Sequence, residues 1–188
     1  MKKIAIFASG AGSNAKVIIE KASGYEIALI VTNKSNAGVL AIASDNNIPS
    51  LVIDKEKFFD GNGYVDELRA NNIDLIVLAG FLWKIPGTLI AAFPDRIINI
   101  HPALLPNYGG KGMYGHHVHQ AVLDNKEKES GITIHYVDGH YDNGDIIFQA
   151  RCPIMEHDTA DSLAKRVQAL EHAFYPKVVA EIVDKLTS

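Results

Sequence analysis

The sequence predicts an α/β fold, a mixed and mostly parallel sheet with helices on both faces and an antiparallel end. Three observations predict it. Short apolar runs alternate with helix-like segments through the first half of the chain. Those runs are apolar on both faces, as strands are when helices cover a parallel sheet on both sides. Later the pattern changes: "GITIHYV" alternates, and after the turn "YDNGD" comes another strand-like run, which together read as an antiparallel hairpin.

In order, the chain reads as strand Lys3–Ala8, helix Ser13–Ala22, strand Glu26–Thr32, helix Gly38–Asn47, strand Leu51–Ile53, helix Tyr64–Asn71 and strand Leu75–Leu78. A short helix near Thr88–Ala92 precedes strand Ile97–Ile100. The hairpin strands are Gly131–Val137 and Asp145–Cys152. From Thr159 to about Leu186 the sequence reads as a helix with its start signal at Asp158 or Thr159, and Pro176 predicts a kink or break within it.

At 188 residues the chain fits one domain over 1–188 and can bury roughly 70% of its unfolded surface. It is 47% hydrophobic and 21% charged, an ordinary globular composition without repeats, low-complexity tracts or linkers. The 18 Lys and Arg against 22 Asp and Glu leave a net charge of −4 without a basic run, which argues against nucleic acid and points to small molecules. The single cysteine, Cys152, forms neither an internal disulfide nor a cysteine zinc cluster. "MKKIAIFASG" runs into a strand pattern that Gly10 breaks too soon for a signal peptide or membrane span, so the expected compartment is the cytoplasm.

The first strand leads into "SGAGSNAKVI", where Gly10, Gly12 and Ala15 match the dinucleotide fingerprint G-x-G-x-x-[GA]. A dinucleotide site also needs an acid at the end of the second strand, and there the chain reads "VTNKS". The loop therefore reads as a site for one phosphate, with Ser13 and Asn14 as donors at a helix N-terminus. The plainer alternative is a tight turn with Ser13 capping the helix.

"IINIHPALLP" ends a strand on an amide and an imidazole. Asn99 and His101, two apart, share one side, at the strand edge where open parallel sheets gather ligands. In "DGHYDNGDI", Asp138 and Asp145 read as turn formers that bond their own backbone. Asp142 is the carboxylate that a folded chain could bring to His101, where it would orient the imidazole and raise its pKa. "YGHHVHQ" holds three of the eight histidines; if it is helical, His116 and His119 face one way, but no motif supplies a third metal ligand, so no metal is expected.

Taken together, "SGAGSN", "LAGFLWKIP", "NIHPALLPNYGG", "GITIHYV", "YDNGDIIFQ" and "RVQALEHAFYP" resemble, in that order, the folate-dependent phosphoribosylglycinamide formyltransferases of purine synthesis, from Ile4 to about Val179. The resemblance implies a Rossmann-like formyltransferase fold and 10-formyltetrahydrofolate as co-substrate. Its catalytic set is Asn99, His101 and Asp142, with Asp142 keeping His101 charged and His135 in support. The acceptor would be held by Gly10, Gly12, Ser13 and Asn14 at its phosphate and by Gln168 and Glu171 at its ribose and phosphate end. The pterin would lie against Leu82, Trp83, Ile85 and the backbone of Val137, Asp138, Gly139, His140 and Tyr141. Both partners are small molecules, nucleic acid and membrane are not expected, and the assembly would be a monomer or homodimer.

The chain departs from the family at Trp83, where many members carry arginine, and in the longer segment "KGMYGHHVHQ", where Lys111 is a candidate replacement cation. A formyltransferase or formyl hydrolase acting on another substrate is the alternative enzyme. A non-catalytic dinucleotide-binding domain is the alternative outside catalysis.

Overall fold

The computed structural model describes residues 1–186. Its centre is a seven-stranded sheet built from β1 (Lys2–Phe7), β2 (Tyr25–Thr32), β3 (Ser50–Val52), β4 (Leu75–Leu78), β5 (Ile97–His101), β6 (Glu129–Tyr136) and β7 (Ile146–Pro153). The strand order is β3-β2-β1-β4-β5-β6-β7. The first five strands pair in parallel; β6 runs antiparallel to β5, and β7 antiparallel to β6. The helices are α1 (Ser13–Glu20), α2 (Val39–Asp45), α3 (Lys55–Phe59), α4 (Val65–Ala70), α5 (Gly87–Ala92), α6 (His116–Asp124) and α7 (Ala160–Lys185).

Strand alternation divides the interior into two cores. Ile4, Ile6, Ile30, Val77 and Ile98 pack against Ile18 of α1, Val39 of α2 and Leu163, Val167 and Val179 of α7. On the other face Phe7, Leu29, Val31, Ile76 and Ile97 meet Phe58 of α3, Leu68 of α4 and Leu89 of α5. The predicted α/β architecture is therefore the observed one, with boundaries shifted by a few residues.

The structure differs from expectation at α7 and α3 and fulfils the conditional expectation at α6. α7 is one helix of 26 residues that runs through Pro176 without a break. The carbonyl left without a helical donor by Pro176 is that of His172, four residues earlier, and it accepts a hydrogen bond from Lys21 Nζ at 3.0 Å. The helix is further held by buried Tyr175, whose hydroxyl donates to the Leu78 carbonyl at 2.8 Å. The short α3 is absent from the sequence reading although Asp54 marks its start by accepting from the Lys57 amide at 3.0 Å. The conditional helix at "HHVHQ" does form, as α6.

Candidate active site

β5 ends on His101, and its Ile98 and Ile100 belong to the first core, which turns Asn99 and His101 the opposite way. The chain leaves β5 through a segment locked by Thr133 of β6. The Thr133 hydroxyl donates to the Ala103 carbonyl at 2.7 Å and accepts from the Leu105 amide at 3.0 Å and from Gln149 Nε2 at 2.9 Å.

Asp142 arrives from the β6–β7 loop in the left-handed region, with φ 51°. That conformation is uncommon for a residue with a side chain and costs backbone strain. Its Oδ2 lies 3.5 Å from His101 Nδ1 and accepts from the Gly110 amide at 3.0 Å. Its Oδ1 accepts from Asn99 Nδ2 at 3.4 Å and stands 3.6 Å from His135 Nε2. Gly109 allows this approach, because a Cβ there would stand 2.6 Å from Leu105 Cδ2 and 3.2 Å from Asp142 Cβ. The expected meeting of Asn99, His101 and Asp142 thus takes place, with His135 as its fourth member.

The hydrogen bonds assign the tautomers. His135 Nδ1 donates to the Tyr136 carbonyl at 2.8 Å, so its Nε2 accepts from Asn99 Nδ2 at 3.1 Å. His101 Nε2 donates to the Tyr108 carbonyl at 2.7 Å, which leaves Nδ1 facing Asp142. Burial holds the His101 pKa below its ordinary value; the Asp142 charge and the Tyr108 carbonyl oppose this, and His135 adds to it. In the free protein burial thus works against the expected effect of Asp142 on His101. His101 is only 3% exposed, and desolvation outweighs a carboxylate 3.5 Å away. Burial pushes Asp142 up in turn, but the contacts from His135, His101 and Gly110 outweigh it, and the carboxyl stays below its usual range.

These groups line a cavity of about 820 Å³. At one end Leu82, Trp83, Ile85, Val137, Asp138, His140 and Tyr141 form its wall, with Lys84 over the Tyr141 ring, and Lys111 also lines the cavity. Gly139 does not line it. Asp138 acts as a turn former, accepting from the His140 amide at 2.7 Å. At the other end are Asn14, Gln168 and Glu171. Asn14 Nδ2 donates to Glu171 Oε2 at 2.9 Å, and Gln168 Nε2 donates to Ser13 Oγ at 3.1 Å. Burial pushes the Glu171 carboxyl up to about 7, with Asn14 pulling the other way.

Gly10, Gly12 and Ser13 stand outside the cavity wall. Gly12 is needed by the fold itself: its φ is +80°, and a Cβ would meet Val39 Cγ2 at 2.8 Å. Gly10 carries no such constraint, with nothing within 4 Å of its Cβ position. The residue at the N-cap of α1 is Gly12, so Ser13 is not the cap.

Sequence reasoning left two cavity residues without a role. His116 Nε2 stands 3.9 Å from Asp161 Oδ1, and His119 is buried on the inward face of α6. Among the described residues, no group of three or more His, Cys, Asp or Glu side chains is placed to hold a metal ion. Among the same residues, no helix is long and apolar enough to cross a membrane.

The formyl transferase family matches residues 2–179. Over 98% of its length the chain is 45% identical to the chloroplastic phosphoribosylglycinamide formyltransferase of Arabidopsis thaliana, and it spans 66% of that relative. It is 37% identical to the phosphoribosylglycinamide formyltransferase of Bacillus subtilis, covering 97% of this chain and 95% of the relative. The crystal structure of the phosphoribosylglycinamide formyltransferase from Bacillus halodurans superposes with a TM-score of 0.89 at 36% identity, over 98% of this chain and 96% of that one.

Proposed function

The chain belongs to the formyl transferase family, and from that premise we propose that it transfers the formyl group of 10-formyltetrahydrofolate to the amine of phosphoribosylglycinamide. The products are formyl-phosphoribosylglycinamide and tetrahydrofolate, in purine biosynthesis. The observation that carries the reading is the meeting of Asn99, His101 and Asp142 in one cavity, between a largely apolar wall and a polar one.

The two ends fit two different molecules. Leu82, Ile85 and Val137 offer flat apolar surface to a pterin, and the exposed edge of the 137–141 loop offers backbone groups to its ring nitrogens. Asn14, Gln168 and Glu171 suit the hydroxyls of a ribose, and the loop of Gly10, Gly12 and Ser13, outside the cavity wall but joined to it through the Gln168–Ser13 hydrogen bond, is assigned to the phosphate. A cavity of about 820 Å³ lies in the upper part of the range for small-molecule sites.

The folate supplies an activated one-carbon unit and a nitrogen leaving group. One Asn99 N–H is held by His135 at 3.1 Å, and the other, resting on Asp142 Oδ1 at the longer distance of 3.4 Å, turns to donate to the formyl oxygen as negative charge grows there. The Tyr108 carbonyl fixes the His101 ring through Nε2 and leaves Nδ1 as the working nitrogen. Neutral His101 and ionised Asp142 together accept the proton released by the attacking amine and return it to the departing nitrogen. While protonated, His101 Nδ1 is a second donor to the oxyanion.

The test is acceptor-dependent conversion of 10-formyltetrahydrofolate by the wild type and by Asn99→Ala, His101→Ala and Asp142→Asn. Each substitution is expected to lower turnover by about 10²–10⁴-fold. Folate consumption that ignores the acceptor would make the protein a hydrolase, and unchanged variants would remove the assigned roles. The reading carries with it one formyltransferase domain over 1–188, acting as a monomer or homodimer in the cytoplasm on small molecules alone. Light scattering and cell fractionation test the last two points.

A further inference from the structure

The mechanism above leaves one cavity-lining imidazole unused. His119 of α6 is only 5% exposed, and its Nδ1 is enclosed by protein without a hydrogen-bond partner among the described residues. Among the described residues Nε2 makes no hydrogen bond either, and it is not sealed off; the residue lines the cavity. Burial holds its pKa below the ordinary histidine value, so the ring is neutral at pH 7. A neutral imidazole carries one N–H and one lone pair, and an orphaned buried N–H is the rarer arrangement. The proton therefore belongs on Nε2, directed at the cavity. Leucine would fill this core-facing position without leaving a polar atom unpaired, so packing alone does not account for the histidine.

His119 lines the same cavity as the catalytic groups and the residues proposed to hold the acceptor. His101 lines that cavity with it. Its helix, α6, packs against α7, which carries Gln168 and Glu171. In phosphoribosylglycinamide the group between ribose and amine is an amide link, whose carbonyl oxygen is an acceptor. Resting on the proposed reading of the acceptor, we propose that His119 Nε2–H donates to that carbonyl oxygen, a specificity contact that sets the amine against the formyl carbon.

Steady-state kinetics of the wild type, His119→Phe and His119→Gln test this with two acceptors. One is phosphoribosylglycinamide and the other an analogue with methylene in place of the amide carbonyl. His119→Phe is expected to raise KM for phosphoribosylglycinamide about tenfold, the size of one neutral hydrogen bond, and to leave KM for the folate unchanged. His119→Gln, which keeps a donor, recovers part of the loss. The analogue gives the same KM with wild type and both variants. An unchanged KM for phosphoribosylglycinamide, an equal rise for both acceptors, or a rise in the folate KM overturns the inference. Should His119→Phe fail to fold, a wild type that treats the two acceptors alike overturns it on its own. A wild type inactive on phosphoribosylglycinamide overturns the proposed function instead.

Discussion

Replacing Thr133 by valine removes one hydroxyl and keeps the shape. That hydroxyl uses its full capacity, one donor and two acceptor sites, on the Ala103 carbonyl, the Leu105 amide and Gln149. Gln149 keeps its bond to the Leu105 carbonyl at 2.9 Å, so the change orphans two buried backbone groups. Each orphan costs about 1–3 kcal/mol, and the extra buried methyl returns about 1 kcal/mol, which leaves a net loss of about 3 kcal/mol. With a urea slope of about 2–3 kcal/mol/M, the unfolding midpoint falls by about 1–1.5 M. Thr133→Ser keeps the hydroxyl and loses only a methyl, about 1 kcal/mol. Thr133 also pairs with His101 in the ladder, so Thr133→Val is expected to lower turnover before it unfolds the protein. A midpoint within 0.3 M of wild type would refute the claim that this side chain holds the segment leaving β5.

Two further outcomes concern pH. The His101 pKa lies below 6.5, so the neutral ring predominates above that value and protonation takes over as pH falls beneath it. kcat/KM for formyl transfer is expected to fall on an acid limb below pH 6.5, with Asp142 still ionised there, and a limb centred above pH 7 would contradict the assignment. Glu171 has the opposite sign: its folded pKa of about 7 exceeds the ordinary 4.5, so folding favours its protonated form and loses stability as pH rises through that interval. Glu171→Gln is therefore expected to stabilise the free protein at pH 8 more than at pH 5 in urea titrations, and equal shifts at the two pH values would show that the carboxyl is not desolvated.

Much of this was legible in the sequence because it depends on local rules. Two-sided apolar runs gave the parallel sheet, and the side-chain period of two put Asn99 and His101 on one side. The approach of Asp142 to His101 depends on a loop that no periodicity describes, and it rested on resemblance until the fold placed the two 3.5 Å apart. The direction of the His101 pKa was not legible, because it is set by how completely the ring is desolvated, a property of the whole packing around it. The break that Pro176 suggested does not occur, for a similar reason. The proline's cost is a single carbonyl, and the cation that satisfies it comes from Lys21, which is 151 residues away from that carbonyl in the chain. The glycine loop stays double-sided: Gly12 is required by its contact with Val39, while Gly10 is not required by any neighbour.

The most direct measurement of the central claim follows the formyl carbon itself. Wild-type protein is mixed with phosphoribosylglycinamide and 10-formyltetrahydrofolate carrying an isotopic label in the formyl group, and the products are separated by mass. The account predicts one label in the acceptor for each tetrahydrofolate formed, with this transfer all but lost in Asp142→Asn. Label recovered as free formate, or equal transfer by the variant, would contradict it.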